Sequence, residues 1–284
     1  MATVTIDGRK VEIDEGRTAL EAAHAAGVEI PTLCYHPAVA PYGACRLCLV
    51  EATLRGRTRM VTSCCYPVRE GLEIATDTER VKAARRGVMQ LLLARAPQSK
   101  SLREFAARMG VTEPRFPTVT RADHDCILCG LCVSVCSEVM GVAAISFASR
   151  GVDRIVATPF LRPADSCIGC GACAAVCPVG AIHLQWTDGQ VEVSPFSTRL
   201  AMTRCEECNA PITALPFRER LEKELRPELA GALRLCDSCK RSHAAAVIKK
   251  ASHLNGSAAC AGLPRGQVKA GHSAAIASVR VPSH

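Results

Sequence analysis

Two stretches decide how this chain reads: Cys126-Ile127-Leu128-Cys129-Gly130-Leu131-Cys132-Val133-Ser134-Val135-Cys136 and Cys167-Ile168-Gly169-Cys170-Gly171-Ala172-Cys173-Ala174-Ala175-Val176-Cys177-Pro178. Each carries four cysteines at the spacing C-x2-C-x2-C-x3-C. A zinc site uses two separated CxxC pairs rather than a run of four. Three cysteines on one tight turn can reach three irons of a cubane, while the fourth, on the helix that follows, points toward a second cubane. The spacing therefore predicts two [4Fe–4S] clusters with exchanged ligands. Cys126, Cys129, Cys132 and Cys177 hold the first, and Cys136, Cys167, Cys170 and Cys173 hold the second. Gly130, Gly169 and Gly171 leave room for backbone amides to approach sulfur.

Outward from these runs, sixteen of the eighteen cysteines fall into four groups, leaving Cys65 and Cys260 aside. The upstream group, Cys34, Cys45, Cys48 and Cys64, has a longer first gap than the plant-type C-x4-C-x2-C pattern. Four thiolates there suit a [2Fe–2S] rhomb, with a structural zinc as the alternative. The downstream group pairs Cys205-Glu206-Glu207-Cys208 with Cys236-Asp237-Ser238-Cys239 across 27 residues. Two CxxC knuckles so separated point to a zinc ribbon, and a further iron–sulfur cluster stays open as the alternative.

The segments between the groups give an α+β fold. Val4 and Ile6 alternate with polar neighbours, Asp7-Gly8 supplies a turn, and Val11 and Ile13 resume the alternation. Thr18 with Glu21 forms a capping box for a helix over 19–26. Short β-rich pieces follow at 49–53, 59–62 and 72–76, the order of a small β-grasp domain spanning 1–78. An amphipathic helix over 79–96 and a shorter one over 102–109 make a helical linker, 79–118. The dicluster domain occupies 119–186 and the zinc-ribbon-like module 196–242, with 215–229 partly helical. Residues 243–284 read as a disordered tail rich in Ala, Gly and Ser.

A net charge of +8, from 35 Lys and Arg against 27 Asp and Glu, invites a nucleic-acid reading. Clusters and a zinc each held by four thiolates carry about −2 apiece, so a loaded chain comes out near neutral. Aromatics are only 4% of the chain and do not interleave with basic runs, which excludes a nucleic-acid partner. The N-terminus lacks the basic-then-apolar pattern of a signal peptide, and no apolar stretch is long enough to span a membrane. These features predict a cytoplasmic protein whose cysteines serve metals rather than disulfides. With no G-x-G-x-x-G after a strand and no G-x-x-x-x-G-K-[ST], the chain offers no site for NAD, flavin or ATP.

Residues 1–186 resemble the N-terminal iron–sulfur region of the G subunit of the bacterial respiratory NADH dehydrogenase. They resemble equally the small diaphorase subunit of NAD-reducing [NiFe] hydrogenases and the matching part of NAD-linked formate dehydrogenases. The resemblance rests on Ile30-Pro31-Thr32-Leu33-Cys34-Tyr35-His36-Pro37, Gly43-Ala44-Cys45-Arg46-Leu47-Cys48, Phe147-Ala148-Ser149-Arg150-Gly151 and the two cysteine runs. It implies an electron-transfer subunit between an NADH-linked flavoprotein and a catalytic oxidoreductase subunit, with no catalytic centre of its own. Such relatives carry a further [4Fe–4S] cluster held by one histidine and three cysteines between the two parts. The corresponding residues 94–115 contain neither His nor Cys, so that cluster cannot form from them.

Two other function classes compete with the relay. Thr62-Ser63-Cys64-Cys65 resembles a short motif of [FeFe] hydrogenases, but the catalytic domain of those enzymes needs several hundred further residues. A redox-sensing or zinc-dependent interaction protein is the other class, and flavoprotein or dehydrogenase gene neighbours would favour the relay over both. Cys65 is expected as a small core residue and Cys260 as a bystander. His36 is expected to shape its loop through a backbone hydrogen bond, and His24 to be a surface or packing residue. Trp186 is expected to pack behind the second ferredoxin run, and the basic cluster 80–86 to be a solvated helix face.

Overall fold

The computed structural model describes residues 1–119, 125–187 and 189–255. It divides into a unit ending at Cys236 and a second beginning at Asp237. In the first, strands β1 (Ala2–Ile6) and β2 (Arg9–Ile13) form the expected hairpin. Asp7 and Gly8 both take positive φ, 46° and 80°, as the tight hairpin turn demands. Thr18 caps α1 (Ala19–Ala25): its Oγ1 accepts from the Glu21 amide, and the Glu21 carboxylate accepts from the Thr18 amide at 2.7 Å. β3 (Leu49–Leu54), β4 (Arg57–Thr62) and β5 (Glu73–Ala75) complete a sheet of order β2-β1-β5-β3-β4. Only β1 and β5 run parallel, and α1 buries Leu20 and its alanines against Val4, Ile6, Val50, Leu72 and Ile74. This is the predicted β-grasp arrangement.

The segment 79–118 is more than a connection. Helices α2 (Glu79–Arg95) and α3 (Lys100–Arg108) are capped by Thr78 and Ser99. Their buried residues Met89, Leu93, Leu102 and Ala106 pack in one apolar cluster with Cys34, Cys45 and Leu47 of the first cysteine loop and Cys129 and Leu131 of the next. Ser99 Oγ also donates to the Val179 carbonyl at 3.0 Å, tying α3's cap to the end of the third cysteine group. The basic helix face departs from expectation in one place. Arg85 is only 8% exposed, and its Nε and Nη2 both donate to the Leu49 carbonyl, at 3.0 and 2.7 Å. It therefore fastens α2 to the start of β3.

Past residue 125, short helices α4 (Leu131–Ser134) and α5 (Ala172–Ala175) each follow a cysteine turn. α4 runs on into a π-helical turn, Val135–Val139, which carries Cys136. Between them lies the hairpin of β6 (Ser146–Ala148) and β7 (Ile155–Ala157). A four-stranded antiparallel sheet follows, absent from the sequence-based expectation: β8 (His183–Thr187), β9 (Gln190–Ser194), β10 (Thr198–Arg204) and β11 (Pro211–Ala214), in the order β11-β10-β9-β8. Val193 and Phe196 join Cys132, Ile145, Val156 and Ile182 in a third apolar cluster. Trp186, on the edge strand β8, is 51% exposed rather than packed behind the second run, because Val191 and Val193 of β9 already supply the buried face. Helices α6 (Leu215–Glu224) and α7 (Pro227–Ala230) supply the partly helical stretch read at 215–229.

The second unit contains α8 (Asp237–Asn255). This corrects the tail expected from residue 243. The stretch 243–251 holds five alanines or aliphatics in a row, Ala244 to Ile248, and neither Gly nor Pro, so helix propensity carries it onward. The later part of that expected tail, with Cys260, lies outside the described residues, as do residues 120–124 at the start of the predicted dicluster domain. Among the described residues, no helix is long and apolar enough to cross a membrane.

Candidate metal centres

The first centre forms where the loop 31–48 returns to β3. Cys34, Cys45, Cys48 and Cys64 are each 3% exposed or less. Cys48 Sγ and Cys64 Sγ lie 3.3 Å apart, near the separation of about 3.8 Å for two sulfurs on one tetrahedral metal. The Cys45 amide donates to Cys34 Sγ at 3.3 Å, and the Leu33 amide to Cys45 Sγ at 3.4 Å. The loop turns tightly enough to do this because Gly43 and Arg46 take positive φ. Crowding splits the four thiols. Hydrogen bonding to Cys64 holds Cys48 down to about 6, and hydrogen bonding to Cys45 lowers Cys34. Cys45 and Cys64 are pushed up, each first by its bond to Cys34. Four thiols buried in apolar surroundings ionise together only around a cation, so the donor set fits an iron–sulfur group.

Cys65 corrects an expectation. Its thiol is exposed rather than in the core, 3.6 Å from Cys64 Sγ and 3.8 Å from the Pro41 carbonyl. The short 3-10 turn Ser63–Cys65 explains this: it buries Ser63 and Cys64, and the next residue faces out. His36 behaves as expected, its Nδ1 accepting from the Ala38 amide at 3.2 Å. His24 is exposed and meets Tyr35 edge-on.

Two cavities account for the next eight cysteines. One is lined by Cys126, Cys129, Cys132 and Cys177, the other by Cys136, Cys167, Cys170 and Cys173, and Phe196 borders both. Burial pushes Cys129 and Cys173 up to about 12 and raises Cys126, Cys132 and Cys167. Neighbouring thiols add to this: Cys177 raises Cys126, Cys129 and Cys132, Cys136 raises Cys167 and Cys173, and Cys173 also raises Cys132 across the two sets. Each run repeats one backbone device. Leu128 and Gly169 take positive φ after the first cysteine, and Gly130 and Gly171 cap α4 and α5 in the left-handed region. These turns aim amides at sulfur, as when the Leu128 amide donates to Cys126 Sγ at 3.4 Å. The Ala144 and Ala181 amides reach Cys136 and Cys177 at 3.3 and 3.2 Å. Apolar walls, thiols and inward amides suit a cluster whose charge must be tolerated away from water.

In the fourth group, the sulfurs of Cys205, Cys208 and Cys236 lie within 4.8 Å of one another. Cys208 and Cys236 are 3.5 Å apart, and the Cys236 amide donates to Cys205 Sγ at 3.4 Å. The Cys208 amide, before other donors, holds the Cys205 thiol down to about 6. A knuckle turn with Asn209 at φ 57° shapes this pair. Cys239 stands in the first turn of α8, in the second unit. No disulfide links the described cysteines.

Sequence reading passed over several residues that shape these centres. Tyr42, between Cys34 and Cys45 of the first centre, stacks on Phe147 with ring centroids 6.0 Å apart. Arg154 lies over the same Phe147 ring at 3.9 Å and donates to the Tyr42 hydroxyl at 3.2 Å. The Glu138 carboxylate accepts from the Ala40 amide at 3.0 Å. The first cysteine loop is thus fixed directly onto the region that carries the second cysteine group. No local spacing announces such partners, which are 98 to 112 residues apart.

Two ferredoxin-type regions, bridged by one shared apolar cluster, define an iron–sulfur protein. Residues 1–79 match a family model described as a 2Fe-2S iron-sulfur cluster binding domain, and residues 125–181 match one described as a 4Fe-4S dicluster domain. Over 203 residues the chain is 35% identical to the mitochondrial NADH-ubiquinone oxidoreductase 78 kDa subunit of Candida albicans, covering 63% of this chain and 28% of that protein. It is 33% identical over 205 residues to the G subunit of the NADH-quinone oxidoreductase of Rickettsia conorii, covering 64% of this chain and 30% of the relative. The chain thus spans less than a third of the length of these relatives. Among solved structures it is similar to one polypeptide of an NAD+-reducing [NiFe]-hydrogenase in the H2-reduced state. That match is 33% identical, covers 56% of this chain and 75% of the other, and has a TM-score of 0.49.

Proposed function

We propose that this chain is an electron-transfer iron–sulfur subunit of an NAD-linked oxidoreductase complex. It relays electrons between an NADH-linked flavoprotein and a catalytic subunit of hydrogenase or formate dehydrogenase type. Cys34, Cys45, Cys48 and Cys64 hold a [2Fe–2S] cluster. Cys126, Cys129, Cys132 and Cys177 hold one [4Fe–4S] cluster, and Cys136, Cys167, Cys170 and Cys173 hold the other. Cys205, Cys208 and Cys236, completed by Cys239, hold zinc. When bound, the clusters supply reversible one-electron chemistry.

The observation that carries the reading is continuity. Cys34 and Cys45 of the first set share one apolar cluster with Cys129 of the second, and Phe196 borders both cubane cavities. The protein's own groups bury the four sulfurs of the first set together with Cys129 and Cys132, and aim amides at several of the others. The names of the relatives agree with a place in an NADH-oxidising complex, and the cytoplasm is the proposed compartment.

The test uses the purified, cluster-loaded chain. Dithionite bleaches its visible absorption, whereas NADH alone does not until a flavoprotein partner is added, because no nucleotide-binding motif is present. Direct turnover of NADH with a dye acceptor by flavin-free chain would overturn the relay reading.

A further inference from the structure

We infer that Ser63 donates a hydrogen bond to the sulfur of Cys48 and thereby sets the reduction potential of the [2Fe–2S] centre. The inference rests on the ligand reading proposed above. Ser63 opens the 3-10 turn whose second residue is Cys64. It is 0% exposed, and its Oγ has no hydrogen-bond partner among the described residues. A buried hydroxyl left unpaired is costly and rare in native proteins, so such a group points to a missing acceptor.

The acceptor is at hand. The Ser63 amide donates to the Cys48 carbonyl at 3.0 Å, which closes the turn onto Cys48. The Cys48 sulfur lies 3.3 Å from that of Cys64, the residue that follows Ser63 in the turn. A neutral thiol is a weak acceptor, and a metal-bound thiolate is a charged one. Loading the site therefore supplies the partner that the hydroxyl lacks.

A donor aimed at ligand sulfur stabilises the more negative, reduced form and raises the potential. Cys65, on the other flank of Cys64, is exposed, so water can stand in for its thiol. Water cannot reach Ser63, and nothing replaces its hydroxyl once removed.

The experiment is an EPR-monitored redox titration of cluster-loaded full-length chain carrying Ser63→Ala, with iron counted on the same samples. The expected result is unchanged iron and a lower midpoint for the [2Fe–2S] signal. At the parent's midpoint the reduced-to-oxidised ratio falls about tenfold, a shift of about 59 mV for one electron. The [4Fe–4S] signals stay in place. Ser63→Thr, which keeps the hydroxyl, keeps the parent potential, and Ser63→Cys, a weaker donor, falls between. An unshifted midpoint in Ser63→Ala overturns the inference. Should that variant lose its iron, equal midpoints for the Ser, Thr and Cys forms overturn it instead. A parent chain with no [2Fe–2S] signal overturns the ligand reading itself, which is a separate outcome.

Discussion

Gly169 and Gly180 share a φ of +67° but have opposite surroundings, so a pair of alanine substitutions separates backbone strain from close packing. A Cβ at Gly180 meets nothing within 4 Å. One at Gly169 would sit 2.6 Å from Ala214 Cβ and 2.7 Å from Leu200 Cδ1. Both variants bear the cost of a side chain in the left-handed region, about 1–2 kcal/mol. Gly169→Ala adds an overpacking cost of about 1–3 kcal/mol, because Ala214 Cβ is fixed to the backbone of β11 and cannot swing aside. The total is about 1–2 kcal/mol for Gly180→Ala and about 2–5 kcal/mol for Gly169→Ala. In a unit of this size the added cost lowers the melting temperature by roughly a further 2–12 °C. The assay is thermal unfolding of anaerobically loaded protein, with iron measured alongside. Gly169→Ala also loses iron selectively from the centre of Cys167, Cys170 and Cys173, whose turn it distorts. Equal melting temperatures for the two variants would refute the claim that the β8–β11 sheet packs directly on this cysteine turn.

Two more outcomes rest on other parts of the fold. Cys177→Ala damages the cluster of Cys126, Cys129 and Cys132 and leaves the other cubane intact; EPR showing loss of the Cys167 centre instead would overturn the exchanged-ligand pairing. Arg85→Leu removes both donors to the Leu49 carbonyl beside Cys48, at a cost of about 1.5–3 kcal/mol. Denaturation of the loaded protein measures it, and a parent-like midpoint would mean the guanidinium contributes nothing there.

Much of the architecture was legible because local chemistry announced it. Asp7-Gly8 allows only a tight turn, Thr18 and Glu21 form a reciprocal cap, and each cysteine run carries its own turn and helix. The β8–β11 sheet was missed even though Val191 and Val193 alternate with polar neighbours, because strands this short give a weak signal beside the cysteine runs. Residues 79–118 looked like a linker since amphipathicity shows that a helix buries one face but not against what. Their apolar face fills the space between the first cysteine loop and the turn of Cys129 and Leu131. Cys65 and Trp186 misled for a shared reason: both are residue types that favour burial, and each sits where a neighbour already occupies the inward position. The stretch 62–65 stands out in the sequence, but nothing in it tells that Ser63 is the buried residue beside Cys64.

The central claim, three clusters on one chain, is tested most directly by counting iron, acid-labile sulfide and zinc on a single sample purified without oxygen. The account predicts about ten irons, as two plus four plus four, with one zinc. About fourteen irons and no zinc would place a cluster in the fourth group instead. About six irons or fewer would mean that at least one cubane is absent, and would contradict the account.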